Sequence, residues 1–185
     1  MEQIQQYIKQ LQSTLGILPL ESIFDVIQLL HEARLSEQQV FVMGNGGSAS
    51  TASHIVCDLA KNTKIDGVPH FRIFEITDNT AVFSAYANDE GYENAFALHL
   101  ANFVRPKDVV IGISTSGNSP NVLRAIELGN LEGAQTISFT GFDGGKLRSL
   151  STMNVHIPSS WIEQVEDVHL ILGHIMCTAL RQLAA

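Results

Sequence analysis

Val40-Phe41-Val42-Met43-Gly44-Asn45-Gly46-Gly47-Ser48-Ala49 joins an apolar run to a loop of glycine and small polar residues. The arrangement returns at Val109-Val110-Ile111-Gly112-Ile113-Ser114-Thr115-Ser116-Gly117-Asn118-Ser119. Neither apolar run alternates with polar residues, as befits a strand buried on both faces of a parallel sheet. Each loop offers small side chains and open backbone N–H groups where a strand gives way to a helix. Such a turn holds an anion without a formal positive charge. Two of them in one domain predict a phosphorylated polyol, such as a sugar phosphate, gripped along its length.

Outward from these stretches, strand and helix alternate. Strands are expected at Val40–Met43, Phe71–Ile76, Val109–Ile113, Thr136–Phe139 and Thr152–Ile157. Between and after them come helices at about Ser50–Ala60, Asp78–Tyr86, Glu93–Phe103, Val122–Leu131 and Ile162–Leu183. The pattern predicts an α/β fold, a doubly wound, mainly parallel five-stranded sheet flanked by helices, with ligand loops at strand C-termini. Ahead of it, Ile4, Tyr7, Ile8 and Leu11, then Ile23, Val26, Ile27 and Leu30, recur at helical spacing around a break near Gly16 and Pro19. Two helices exceed what the sheet requires. Residues 1–35 are therefore expected to form an oligomerisation arm, with packing on their own domain as the alternative. No repeat or linker divides residues 1–185, so one domain is expected.

Composition narrows the function. Hydrophobic residues make up 45% and charged residues 16%, as in an ordinary globular enzyme. A net charge of −8 and the lack of any basic run argue against a nucleic-acid partner. The apolar runs break well short of the ~18 residues a membrane helix needs. The start, Met1-Glu2-Gln3-Ile4-Gln5-Gln6, lacks the pattern of a signal peptide. Cys57 and Cys177 form no C-x-x-C pair and are expected as free, core-packed thiols in a reducing cytoplasm.

Gly44-x-Gly46-x-x-Ala49 also satisfies a relaxed dinucleotide fingerprint. That fingerprint wants an acidic residue about 20 positions on, at the end of the next strand. Here the candidate is Glu75, 31 positions after Gly44, and two helices precede the first strand. The second loop weighs the other way. Ser114, Thr115, Ser116 and Ser119 place four hydroxyls within six residues, more than capping one helix requires. The turn Gly141–Lys146 is expected to be structural.

His54 and Asp58 stand four apart on the helix after the first loop, on one face and at the expected pocket mouth. Glu166, His169 and His174 share the last helix. Histidine and carboxylate pairs from two helices can close a Zn²⁺ site, although an H-x-x-x-D pair is as readily a surface ion pair or cap. His169, amid Val168, Leu170 and Ile171, is expected to be buried and hydrogen-bonded. Lys61 and Arg72 are candidate sources of positive charge for the pocket.

The pair GNGGSAS and STSGNSPNV, with Ala87-Asn88-Asp89, Thr140-Gly141-Phe142-Asp143-Gly144-Gly145 and the histidine-bearing last helix, resembles the sugar isomerase (SIS) fold. More narrowly it resembles the phosphoheptose isomerase family, over nearly the whole chain. The resemblance implies that Ser114, Thr115, Ser116 and Ser119 bind phosphate. It implies that Asn45, Gly46, Gly47, Ser48 and Asp89 contact the sugar. It further implies Zn²⁺ or another divalent ion at His54, Asp58, Glu166 and His174, and a cytoplasmic homotetramer with active sites at subunit boundaries. The family pattern has Glu where Asp58 stands and Gln where Glu166 stands. Aspartate retracts the carboxylate by about 1.5 Å, one C–C bond, and Glu166 adds a negative charge. The implied reaction is aldose–ketose interconversion of sedoheptulose 7-phosphate or a relative, in surface-polysaccharide heptose synthesis. Asp58 is the expected base, Glu166 its competitor, and His174 the acid partner. Two alternatives stand beside it. One is a non-catalytic SIS protein that binds sugar phosphate or associates with a replication initiator. The other is an isomerase of a different sugar phosphate.

Overall fold

The computed structural model describes residues 1–183. Helices α1 (Glu2–Leu15) and α2 (Leu20–Leu35) lead into β1 (Gln39–Gly44) and α3 (Gly47–Cys57), which continues through a π-turn at Asp58–Asn62. Then come β2 (Arg72–Glu75), α4 (Thr80–Asp89), α5 (Ala95–Ala101), β3 (Val109–Ser114), α6 (Pro120–Leu131), β4 (Gln135–Thr140), α7 (Leu147–Leu150), β5 (Met153–His156) and α8 (Ile162–Gln182). The five strands are all parallel, in the order β2-β1-β3-β4-β5. The chain reverses its direction of winding between β1 and β3. In open α/β sheets that switch point opens a crevice beyond the strand ends, and both glycine-and-hydroxyl loops leave from these two strands.

Alternate side chains of each strand supply two cores. Val40, Val42, Ile111 and Ile113 face α2, α3 and α8. Phe41, Met43 and Val110 face α5, α6 and α7. Burying each such side chain contributes roughly 1.5–3 kcal/mol, so a parallel sheet covered on both faces is well secured.

The two N-terminal helices differ in how they pack. Ile23, Val26 and Leu30 of α2 are buried in the domain's own core. By contrast, α1 buries only Thr14 outright. Tyr7 Oη donates to Asp167 Oδ2 of α8 at 2.6 Å, which pushes the phenol up to about 12, while Ile4 and Ile8 stay 60% and 51% exposed.

Several local features differ from the sequence pattern. Helix α3 starts at Gly47, because Gly46 turns the chain at φ 55°. The four-residue α7 is too short to show periodicity. Cys177 is buried as expected, but Cys57 is exposed, on the side of α3 turned away from the core. His169 is buried as expected; among the described residues neither ring nitrogen has a partner in full hydrogen-bonding geometry, although the Thr140 backbone accepts weakly from the ring. Its ring packs 6.0 Å from that of Phe139, centroid to centroid. Burial pushes it down to about 4, with the Thr140 backbone offsetting part of the effect.

Helices α3 and α8 pack side by side and run in the same direction. Gly47 meets Glu166 near their starts, and Ile55 meets Gly173 farther along. A Cβ on Gly173 would lie 2.9 Å from Ile55 Cγ1. Gly173→Ala gains about 0.5–1 kcal/mol in helix preference but overpacks this contact at about 1–3 kcal/mol. A net loss of up to about 2.5 kcal/mol is expected in urea unfolding. His169 generates a pH prediction. The unfolded imidazole takes a proton below about pH 6.5 that the folded one refuses until about pH 4, so its contribution is complete above 6.5 and lost as pH falls towards 4. The loss is of order 3 kcal/mol. His169→Phe should flatten the fall in melting temperature over that interval; parallel curves for the two proteins would refute the assignment.

Candidate active site

The first loop is fixed by a pair of asparagines. Asn45 Nδ2 donates to Asn121 Oδ1 at 2.9 Å, and Asn121 Nδ2 returns a bond to Asn45 Oδ1 at 2.8 Å. Tyr92 Oη donates to the same Asn45 Oδ1 at 2.8 Å. Asn121 is buried in the first turn of α6, so this exchange locks the loop after β1 to the helix after β3. Asn121 lies within the STSGNSPNV stretch without a role of its own there, and Tyr92 belongs to no motif. Ser48 is buried one residue into α3.

In the second loop, Ser119 occupies the N-cap of α6 yet makes no capping bond. Its Oγ pairs instead with Ser114 Oγ at 3.0 Å. The first-turn N–H groups of a twelve-residue helix, with Pro120 at its start, are thus left uncapped by Ser119. Free N–H groups at a helix start of this kind favour negative charge. Ser116 Oγ accepts from Asn118 N at 3.2 Å. The turn after β4 holds the loop from behind: Gly141 N donates to Thr115 O at 2.9 Å and Leu147 N to Gly117 O at 3.0 Å. Gly117 has φ +63°, and a Cβ there would collide with Gly144 O. The glycines of that turn are structural, as expected.

Asp89 ends α4 with its carboxylate exposed, accepting from Asn88 Nδ2 at 2.7 Å. Arg72 lies elsewhere. It opens β2, at the end of the sheet opposite the loops, and donates to Glu37 O at 3.1 Å. Lys61 is exposed on the π-turn. Glu75 is buried and accepts from Ser53 and Thr77 hydroxyls, so no free carboxylate stands where a dinucleotide ribose would need one.

Farther along α3, three donors converge. His54 Nε2 lies 3.0 Å from His174 Nε2 and 3.4 Å from Asp58 Oδ2. His174 Nε2 lies 3.7 Å from that same oxygen. A tetrahedral centre with bonds of about 2.0–2.1 Å has ligand–ligand edges of about 3.4 Å. The three separations bracket that edge, so the triad fits a divalent ion of zinc's size and ligand preference. Asp58 is buried, while the two imidazoles are 44% and 54% exposed and open to solvent.

The triad does not sit at the mouth formed by the first loop. Seven residues of helix separate Gly47 from His54, on the order of 10 Å. Nor does Glu166 join it within one chain. Glu166 and His174 are eight residues apart on α8, a rise of about 12 Å. The Glu166 carboxylate lies instead against Gly47, where an added Cβ would stand 2.6 Å from Oε1. There the positive end of the α3 dipole favours it.

Comparison with known proteins agrees with this architecture. A family model for the SIS domain matches residues 1–141. A phosphoheptose isomerase of Helicobacter pylori (strain P12) is 38% identical over 162 residues, covering 88% of this chain and 84% of that protein. The structure of a phosphoheptose isomerase from Francisella tularensis superposes with a TM-score of 0.90 at 26% identity, covering 98% and 97% of the two chains. The corresponding enzyme from Neisseria gonorrhoeae gives 0.87 at 25% identity, covering 97% of each. The chain belongs to the SIS-domain family and, within it, to the phosphoheptose isomerases, a group of aldose–ketose isomerases acting on phosphosugars.

Proposed function

We propose that this phosphosugar isomerase interconverts sedoheptulose 7-phosphate, or a close relative, with the corresponding aldose phosphate through an enediol(ate), serving heptose and surface-polysaccharide synthesis in the cytoplasm. The observation that carries the proposal is the convergence of His54, Asp58 and His174 in a molecule that also presents an uncapped serine loop. Ser114, Thr115, Ser116 and Ser119 hold the phosphate. Asn45, Gly46, Gly47, Ser48 and Asp89 bind the sugar hydroxyls.

Isomerisation moves one proton between C1 and C2. Asp58 takes the carbon-bound proton, with Glu166 as the competing base, and His174 delivers a proton opposite. His54, Asp58 and His174 would hold a zinc or similar divalent ion, with Glu166 as a further carboxylate ligand. A bound ion supplies positive charge that polarises the carbonyl and stabilises the developing oxyanion.

Within one chain, Glu166 and the loops stand at one end of α3 and the triad at the other. The triad's imidazoles are open to solvent, whereas such chemistry benefits from exclusion of water. A second copy of the chain, in a homotetramer, completes and closes the site in this proposal. The exposed Ile4 and Ile8 of α1 supply an apolar surface for it.

Two contrasts test the assignments. His174→Ala should abolish deuterium incorporation at C2 of the aldose product in D₂O while the circular dichroism spectrum stays native; full turnover would remove His174 from proton transfer. Ser119→Ala should instead raise KM with little change in kcat, since phosphate is held in ground and transition states alike. For assembly, Ile4→Glu with Ile8→Glu should convert a tetramer into smaller species by light scattering and cut activity at least tenfold. An active monomer would overturn the shared-site proposal.

A further inference from the structure

The residues following α3 form a π-turn, Asp58–Asn62. Single π-turns are uncommon and shift backbone hydrogen bonding by one residue. Bonds from neighbouring side chains brace this one. Cys177 Sγ of α8 stands 3.8 Å from Asp58 O, and Thr63 Oγ1 donates to Leu59 O at 2.5 Å. Just beyond the turn, the buried Arg34 donates through Nη1 to Thr63 O at 3.3 Å. Inside the braced turn, Asn62 Nδ2 donates to Asp58 Oδ1 at 2.8 Å. The other oxygen, Oδ2, is the one that faces His54 Nε2 at 3.4 Å and His174 Nε2 at 3.7 Å.

An ionised aspartate has two oxygens with about four lone-pair sites. Left free, it can offer a cation either oxygen or both, or turn towards solvent. The aspartate stem is also shorter than the glutamate of the family pattern, so it has less reach with which to correct a poor angle. We infer that Asn62 is a positioning residue: its amide holds Oδ1, so that Asp58 presents Oδ2 alone to the metal site and to the proton it handles. Hydrogen-bonding partners of metal ligands usually change affinity or activity 10–100-fold when removed. The inference rests on the proposal that the triad holds a divalent ion and that Asp58 is the base.

Asn62 is exposed, so its replacement is not expected to disturb the core. The test is Zn²⁺ titration against a chromophoric chelator, with kcat and KM for sedoheptulose 7-phosphate, on wild type, Asn62→Ala and Asn62→Gln. The alanine variant should bind Zn²⁺ about 10–100-fold more weakly. It should lose kcat rather than gain KM, and its metal-free form should melt where the wild type does. Glutamine, which keeps the amide, should recover part of both losses. Wild-type Zn²⁺ affinity in Asn62→Ala would overturn the inference, as would a loss matched by an equal drop in metal-free stability. A wild-type protein that takes up no Zn²⁺ would overturn the metal assignment itself, and the inference with it.

Discussion

The contact between Gly173 and Ile55 lets α3 and α8 approach closely while running in the same direction. Most of the site's chemistry depends on that approach. Because the helices are aligned, each meeting along them has a fixed partner: Glu166 with Gly47, Gly173 with Ile55, His174 with His54, and Cys177 with the backbone of Asp58. A crossing at a steep angle would leave only one such meeting. Two imidazoles and a carboxylate converge at the far end because the small residue lies immediately before His174.

A second constraint acts across the sheet. The winding reverses between β1 and β3, so the loops that leave these strands are neighbours in space although separated by some 70 residues. The reciprocal Asn45–Asn121 bonds turn that proximity into a fixed geometry. Behind the second loop, the turn after β4 donates two backbone N–H groups, and glycine is required where the segments touch. The second loop is thus held by backbone and amide contacts rather than by charged side chains. Arg72 stands at the end of its strand opposite the loops, and Lys61 is exposed on the π-turn.

How legible was this in the sequence? The two unalternating runs, Val40–Met43 and Val109–Ile113, announced central parallel strands, because burial on both faces leaves no room for polar alternation. Ser119 could be read as exceeding the demand for a cap, and the structure shows it uncapping. The i, i+4 spacing of His54 and Asp58 stated correctly that they share a face. Spacing along one helix, however, says nothing about which helix lies opposite or in which direction it runs. Within one chain a rise of about 12 Å along α8 separates Glu166 from His174, two residues that the family resemblance groups around one ion. Tyr92 and Asn62 carry no sequence signal, and Asn121, although inside the second motif, has no stated role there, because asparagine and tyrosine in loops and helix ends are ordinary and only their partners give them meaning.

The sequence by itself determined the elements, the parallel doubly wound sheet, the two glycine-and-hydroxyl loops and the residue types they and the helices carry. These follow from periodicity, from burial and from local backbone chemistry, all of which act over a few residues. The tertiary structure alone decided that His54, Asp58 and His174 meet, that Glu166 sits at the start of α3, that Asn45 and Asn121 bind one another, and that Asn62 bonds one oxygen of Asp58 while the other faces the imidazoles. Each of these is a distance between residues far apart in the chain, or a side-chain orientation at a π-turn. Such distances are fixed by which surfaces can approach most closely, not by the order of residues along the chain.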